Sequence, residues 1–478
     1  MKILLAASEA APYIKTGGLG DVIGALPKEI AKSKDTEICV FLPYYKSIKF
    51  NPDFKIEFVT CFNVMLAWRS AYVGVFKAVS RSKKLSYYFI DNEYYFNRDG
   101  AYGYYDDGER YAYFSKAVLE AIMHIGFYPD IIHCHDWQTA LIPVFLKGHY
   151  NDVPEYQKIK TIFTIHNIEY QGKVPEEFLK EVIGLSEDWH DVMYHKDCLN
   201  FVKSAIEISD RVSTVSETYS YEIRHAYFAH GLESVLKRNE HKVWGIVNGI
   251  DTKLYDPATD EKLYVNYAPG EYDKKVQNKM FLQERLGLPV NPDVPMVAMV
   301  TRLVAHKGLE LVEYVANEIM ERDMQFVVVG TGDKRFEELF NYMAYMRPDR
   351  VSISLKFDPV LANQVYAGAD MFLMPSKSEP CGLAQLIAMR YGTIPIVRET
   401  GGLCDTVPPL NTQTLEGRGF TFKGFNAHDM LGAIERSIDF YYDKEKLHKH
   451  TENIMKYDSS WKESVIKYME LYNNTLQY

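Results

Sequence analysis

Two cations and one carboxylate in the second half of the sequence carry the strongest chemical suggestion. Arg302 directly follows an apolar run, and Lys307 stands five positions later at the head of a helical segment, with Val304-Ala305-His306 as a loop between them. Both side chains could converge on one anion, Arg as a bidentate fork for phosphate oxygens and Lys as a point charge. A pair of solvated surface cations is the competing reading. Glu379 is the carboxylate of the segment Pro375 to Leu383, and it could bind sugar hydroxyls or complement the dipole of the helix that follows. In the first half, Asp136 could accept hydrogen bonds from a hydroxyl or cap the helix beginning at Trp137. His166, at the end of another apolar run, could serve a ligand or be a satisfied structural residue. His133 and His135 lack a clear third ligand, which makes a poor zinc site.

Glycine turns stand beside these groups. Lys15-Thr16-Gly17-Gly18-Leu19-Gly20-Asp21-Val22 separates the apolar run Lys2 to Ala7 from a helical segment, Val22 to Ile30. Glycines there let a ligand approach the backbone, and the helix start offers free N–H groups to a phosphate. They could equally make only a tight turn, and the spacing matches neither G-x-G-x-x-G nor G-x-x-x-x-G-K-[ST]. Gly330-Thr331-Gly332-Asp333 and Thr400-Gly401-Gly402-Leu403 repeat the same arrangement. No carboxylate cluster for Mg²⁺ accompanies them. Arg302 and Lys307 could themselves neutralise a departing diphosphate.

The elements that must position these groups are strands alternating with helices. Ile38 to Leu42, Tyr87 to Ile90, Ile131 to Cys134, Thr161 to Ile165, Val212 to Val215 and Val243 to Val247 are expected as strands. Gly108 to His124, Trp137 to Lys147 and His195 to Glu207 are expected as helices. A second series has strands at Met296 to Thr301, Gln325 to Val329, Ser352 to Lys356, Met371 to Met374 and Ile394 to Val397. The rhythm implies two doubly wound α/β domains with ligands at the carboxyl ends of their parallel strands and in the cleft where the domains face each other. The expected boundaries are 1–248, 249–460, and a last helix in 461–478.

With 478 residues, 47% of them hydrophobic, two domains are the natural partition. A formal charge of −10 argues against a nucleic-acid surface and gives no attraction to anionic membranes. Six scattered cysteines without a C-x-x-C pair suit reduced thiols, and the sequence shows neither a signal-peptide shape nor an apolar stretch able to span a bilayer. A cytoplasmic protein is expected.

Taken together, Lys15 to Val22, His135-Asp136-Trp137, His166-Asn167, Val247-Asn248-Gly249-Ile250-Asp251, Arg302 with Lys307, Glu379-Pro380-Cys381-Gly382-Leu383 and Thr400-Gly401-Gly402-Leu403 resemble the bacterial glycogen synthase and plant starch synthase family, glycosyltransferase family 5. The resemblance runs from the first strand to the last helix. It implies a GT-B fold and a retaining glucosyltransferase that adds glucose from ADP-glucose to the non-reducing 4-hydroxyl of an α-1,4-glucan. It further implies that Asp136, His166, Arg302, Lys307 and Glu379 form the catalytic set. Donor contacts fall to Lys15, Gly17, Gly18, Asp21, Asn248, Gly332, Cys381, Gly382, Leu383, Thr400, Gly401 and Gly402, with Phe357 stacked on adenine and the C-terminal helix returned to the first domain. ADP-glucose is then a co-substrate, and neither a metal nor pyridoxal phosphate is expected. No enzymic nucleophile stands out, so a front-face route is the family expectation. The sequence departs from the family at Lys377 and Ser378, before Glu379, and at Asp107, where Asn is common. A UDP-glucose-dependent relative, an α-glucan phosphorylase and an inactive glucan-binding homologue are the alternatives.

Overall fold

The computed structural model describes residues 1–80, 82–356 and 358–477. The chain divides into two compact units, Met1–Asn248 with Trp461–Tyr478, and Gly249–Ser460.

The first unit is built on β1 (Lys2–Ala6), β2 (Glu37–Pro43), β3 (Ile56–Leu66), β4 (Arg69–Ala78), β5 (Leu85–Asp91), β6 (Ile131–His135), β7 (Lys160–Ile165), β8 (Lys173–Val174), β9 (Leu199–Asn200), β10 (Arg211–Thr214) and β11 (Val243–Gly245). Nine of them form one sheet in the order β11-β10-β7-β6-β1-β2-β5-β4-β3, and β8 pairs with β9 separately. The central strands β1 and β6 are buried along almost their whole length, as expected where helices cover both faces of a parallel sheet. Winding proceeds outward from β1 through β2 to β5, then returns to the other side of β1 with β6. The reversal therefore lies between β1 and β6, and the crevice at their carboxyl ends is where a doubly wound sheet receives its ligand. Helix Gly18–Ile30 leaves β1 there and buries Leu19, Val22, Ile23, Leu26 and Ile30 on one face, a 3.6-residue spacing.

The last helix, Lys462–Gln477, packs beside helix Gly18–Ile30. It buries Tyr468, Leu471 and Tyr472. Ser464 Oγ donates to the Val247 carbonyl at 2.6 Å, and Arg211 donates to Asn474 Oδ1 at 3.0 Å.

The second unit has β12 (Met296–Val300), β13 (Gln325–Val329), β14 (Val351–Ser354), β15 (Met371–Met374), β16 (Ile394–Arg398) and β17 (Phe420–Phe422), all parallel in the order β14-β13-β12-β15-β16-β17. Its winding reverses between β12 and β15.

Local structure departs from the sequence expectations in three places. The hairpin of β3 and β4 was not anticipated; most side chains of β3 are exposed or half-buried, so the strand lacks the apolar run that marked the others. The segment expected as a helix over 195–207 starts instead with a turn at Lys196 and Asp197, both at positive φ, followed by β9. Its helix is Phe201–Ile208, capped by Asn200 Oδ1 accepting from Lys203 N–H. The segment 137–147 opens as a tight 3-10 turn, Trp137–Thr139, before helix Leu141–His149.

Candidate active site

In the second unit, three loops at the carboxyl ends of β12, β15 and β16 are sewn together by backbone contact. Lys377 N–H donates to the His306 carbonyl at 2.9 Å, and Gly402 N–H donates to the Glu379 carbonyl at 3.0 Å. Two glycines make this approach possible. Gly308 has φ +75°, and a Cβ there would stand 2.0 Å from the Pro375 carbonyl oxygen. Gly401 has φ +46°, and its Cβ would stand 2.1 Å from the Glu379 carbonyl oxygen. Neither the conformation nor the space admits a side chain.

This sewing brings Lys307 and Glu379 into a 2.7 Å ion pair across the winding reversal. Glu379 Oε2 also accepts from Ser376 Oγ at 2.9 Å. Burial pushes the Glu379 carboxyl up, but the Lys307 ammonium and the Ser376 hydroxyl outweigh it and hold the group below the usual carboxylate range. Glu379 is therefore an ionised, buried acceptor. Its helix begins only at Ala384, so the side chain serves the Lys307 pair rather than the helix end. Arg302 is exposed; its carbonyl accepts from Val304 N–H at 3.0 Å, while its guanidinium makes no hydrogen bond or ion pair among the described residues. Cys381 is buried and Gly382 has φ +73° just before that helix. Thr400 precedes helix Gly401–Thr406, while Gly332, after β13, donates its N–H to Glu337 Oε1 at 2.9 Å. Phe357 lies outside the described residues.

In the first unit, the loop after β1 is held by a carboxylate that the sequence reading passed over. Glu9 is buried and accepts from Thr16 N–H, from Thr16 Oγ at 2.7 Å, from Gly17 N–H at 3.2 Å and from Tyr102 OH at 2.6 Å. Its place three residues after β1, beside a glycine loop, is the signal that could have found it. The Gly17 amide is thus engaged, and Gly18 starts the helix whose first-turn amides follow. Lys15 pairs with Asp21 at 2.7 Å; burial raises the Asp21 carboxyl and the Lys15 charge opposes that shift.

Asp136, at the end of β6, has φ +59° and ψ 178°, a costly backbone state for a residue with a side chain. It does not cap the turn at Trp137. Its Oδ1 instead reaches the end of the neighbouring strand β7 and accepts from His166 N–H at 2.7 Å. Desolvation raises its carboxyl to about 7 against the opposing pull of the His166 and Asn167 amides. His166 Nε2 meets His135 Nδ1 at 3.0 Å, and burial lowers the His166 ring to about 3, so it is neutral. His133 belongs to the packing: its Nδ1 meets Tyr472 OH at 2.9 Å and its Nε2 meets Thr164 Oγ1 at 2.6 Å. Asn248 is buried with an amide oxygen that has no partner among the described residues. No group of three or more metal-ligating side chains gathers among the described residues.

Most of the expected site residues lie within each unit at or one strand from its winding reversal: Lys15, Gly17, Gly18, Asp21, Asp136 and His166 in the first, Arg302, Lys307, Glu379 and the Cys381 and Gly401 loops in the second; Asn248 instead follows the edge strand β11, and Gly332 follows β13. The family model described as starch synthase catalytic domain matches residues 2–238, and that described as glycosyl transferases group 1 matches 283–456. A glycogen synthase of Alkaliphilus metalliredigens is 47% identical over 99% of this chain and 100% of its own length. One from Bacillus cereus is 46% identical over the whole of both. Among solved structures, the catalytic domain of starch synthase IV from Arabidopsis thaliana, bound to ADP and acarbose, superposes with a TM-score of 0.91 at 34% identity, over 100% of this chain and 99% of that one. Sucrose-phosphate synthase from Thermosynechococcus elongatus, at 19% identity and a TM-score of 0.63, shares the GT-B fold. With nearly half of its residues shared along the full length of these enzymes, the chain belongs to the glycogen and starch synthase family of glycosyltransferases.

Proposed function

We propose that the protein elongates α-1,4-glucans, transferring glucose from ADP-glucose to the 4-hydroxyl at a non-reducing end with retention of the anomeric configuration. The observation that carries this reading is the Lys307–Glu379 pair beside the exposed Arg302 at the reversal of the second unit's sheet. Membership in a family with glycogen synthases supports it, as does the starch synthase that holds ADP and acarbose. As the bond from the anomeric carbon to the phosphate oxygen breaks, its electron pair leaves with ADP. Arg302 and Lys307 take up that charge, and such preorganised stabilisation is commonly the largest catalytic contribution. Glu379, held ionised, receives protons of sugar hydroxyls in hydrogen bonds. The acceptor 4-oxygen bonds to the anomeric carbon on the face that ADP leaves, and its proton passes to the departing phosphate oxygen.

Asp136, His166 and Asn248 bind donor-sugar and acceptor hydroxyls in this scheme, and Lys15 with the loop of Gly17, Gly18 and Asp21 faces the donor. Cys381, Gly382, Leu383, Thr400 and Gly401 supply backbone contacts to the donor, while the Gly402 amide is taken by the Glu379 carbonyl. Side-chain cations do the work otherwise given to a metal, and no step calls for pyridoxal phosphate. All six cysteines are free thiols, which supports a cytoplasmic setting, and no helix among the described residues is long and apolar enough to cross a membrane. Elongation of maltooligosaccharides with ADP-glucose and with UDP-glucose, reading released ADP or UDP, is the test. Faster turnover with ADP-glucose is expected. Preference for UDP-glucose would reassign the donor, and no elongation with either would overturn the reading.

A further inference from the structure

The histidine behind His166 has no role in the scheme above, yet its surroundings are unusually restrictive. His135 is completely buried at the end of β6. It makes one side-chain hydrogen bond, Nδ1 to His166 Nε2 at 3.0 Å, and its Nε2 is buried with no partner among the described residues. Burial holds both rings neutral, with His135 well below its ordinary range. Each ring then carries one proton, and only one of them can donate across the 3.0 Å contact.

Two arrangements are open. In one, His166 Nε2–H donates to His135 Nδ1, which forces the His135 proton onto the buried Nε2 and leaves an orphaned N–H. In the other, His135 Nδ1–H donates to His166 Nε2, and only a lone pair is left facing the interior. Orphaned buried N–H groups are rarer in folded proteins than under-satisfied acceptors, and each costs its full desolvation. The second arrangement wins on that count. It has a consequence for His166, because a neutral imidazole accepting at Nε2 must hold its proton at Nδ1. That nitrogen has no hydrogen-bond partner among the described residues, and His166 keeps partial exposure.

His135 is itself held from behind. Its ring lies 4.1 Å from that of His133, which is fixed by Tyr472 OH and Thr164 Oγ1. Thr164 Oγ1 is bonded in turn to Ser213 Oγ at 2.6 Å. The adjacent backbone is also pinned, since Asp136 Oδ1 takes the His166 amide. Neither ring of the His135–His166 contact can turn without breaking a bond or colliding with a packed neighbour.

We propose that His135 is a positioning residue: by donating from Nδ1 it fixes the proton of His166 on that ring's Nδ1, making His166 a neutral hydrogen-bond donor to a ligand oxygen rather than a proton acceptor. The ligand part of this statement rests on the glucosyl-transfer reading; the tautomer part does not. The test is long-range ¹⁵N–¹H correlation on the ligand-free, ¹⁵N-histidine-labelled full chain at neutral pH, with His166→Gln used for assignment. The native enzyme should show His166 protonated at Nδ1. His135→Leu, which offers no donor, should shift His166 toward the Nε2–H form and lower kcat about tenfold, the effect of one hydrogen bond. His135→Asn places an amide N–H near the lost Nδ1 and should restore both the tautomer and most of kcat, which a purely packing role would not do. A native His166 protonated at Nε2 overturns the proposal, as does an unchanged tautomer in His135→Leu or a folded His135→Asn that restores neither property. Because the native tautomer is read without substrate, a failure of the ADP-glucose assay leaves that result standing, and the two readings fail separately.

Discussion

Removing Lys307 separates what the Lys307–Glu379 pair does for the fold from what it does for turnover. The ammonium and carboxylate stand 2.7 Å apart, with side-chain exposures of 19% and 10%. At an effective dielectric of about 20 their attraction is about 6 kcal/mol before desolvation. Much of that offsets the cost of taking two charges out of water. Loss of one partner of a buried pair costs about 3–5 kcal/mol, because the other is left uncompensated, and the residual exposure here argues for the lower end. Lys307→Met should therefore destabilise the protein by about 3 kcal/mol, and Glu379→Gln by less, since Gln still accepts from Lys307 and Ser376. The double variant removes both charges and should recover most of the stability lost in Lys307→Met. Turnover should behave differently: Lys307→Met should lower kcat/KM by about 10²–10³, as loss of a preorganised group at a developing charge does, and the double variant should not recover it. Urea unfolding and ADP release measured on the same four proteins supply both cycles. If activity returns in the double variant along with stability, the charge of Lys307 acts only through the fold and the assigned role is wrong. The pH dependence has a defined sign. Glu379 has a lowered carboxyl pKa in the folded state, so the pair's contribution is present above the ordinary carboxylate range and is lost as pH falls through the folded value.

Asp136, raised to about 7, should produce an acid limb in kcat/KM near that pH, and Asp136→Asn should abolish the limb. The same shift makes the folded state hold its proton more tightly between about pH 4 and 7, so stability falls as pH rises through that window; Asp136→Asn should be the more stable protein at pH 8, by about 2–4 kcal/mol in urea titrations. Gly401→Ala, which would set a Cβ 2.1 Å from the Glu379 carbonyl oxygen at φ +46°, should cost about 2–4 kcal/mol and most of the activity; a thermal midpoint and turnover near those of the native protein would refute the loop geometry.

Much of this was legible in the residues themselves. The strands Gln325–Val329 and Met371–Met374 coincide with apolar runs bounded by polar residues, because a strand buried on both faces leaves no room for alternation. Arg302, Asp136 and His166 stand just beyond strand ends, where sheet winding makes ligand contact geometrically available. What the sequence hides is pairing at a distance. Lys307 and Glu379 meet across 72 positions, and His135 meets His166 across 31. No local pattern links either pair; the parallel register creates them. Asp136 illustrates the converse. Its type and position suit a helix cap, but positive φ turns its carboxylate toward the His166 amide instead. The β3–β4 hairpin escaped because an edge ribbon with few buried residues needs no distinctive composition.

The closing helix has a consequence in time. Tyr472, which anchors His133, and Leu471, in the core of the first unit, are synthesised only after the whole of the second unit. At about 5–20 residues per second, on the order of 10–50 s separates the synthesis of Asn248 from that of Tyr472. Throughout that interval the amino-terminal sheet lacks the helix that covers part of it, and apolar surface otherwise sealed by Tyr468, Leu471 and Tyr472 stays open to water. The unit translated first is thus the one completed last, so a nascent chain offers holdase chaperones a binding surface through the whole synthesis of the second unit.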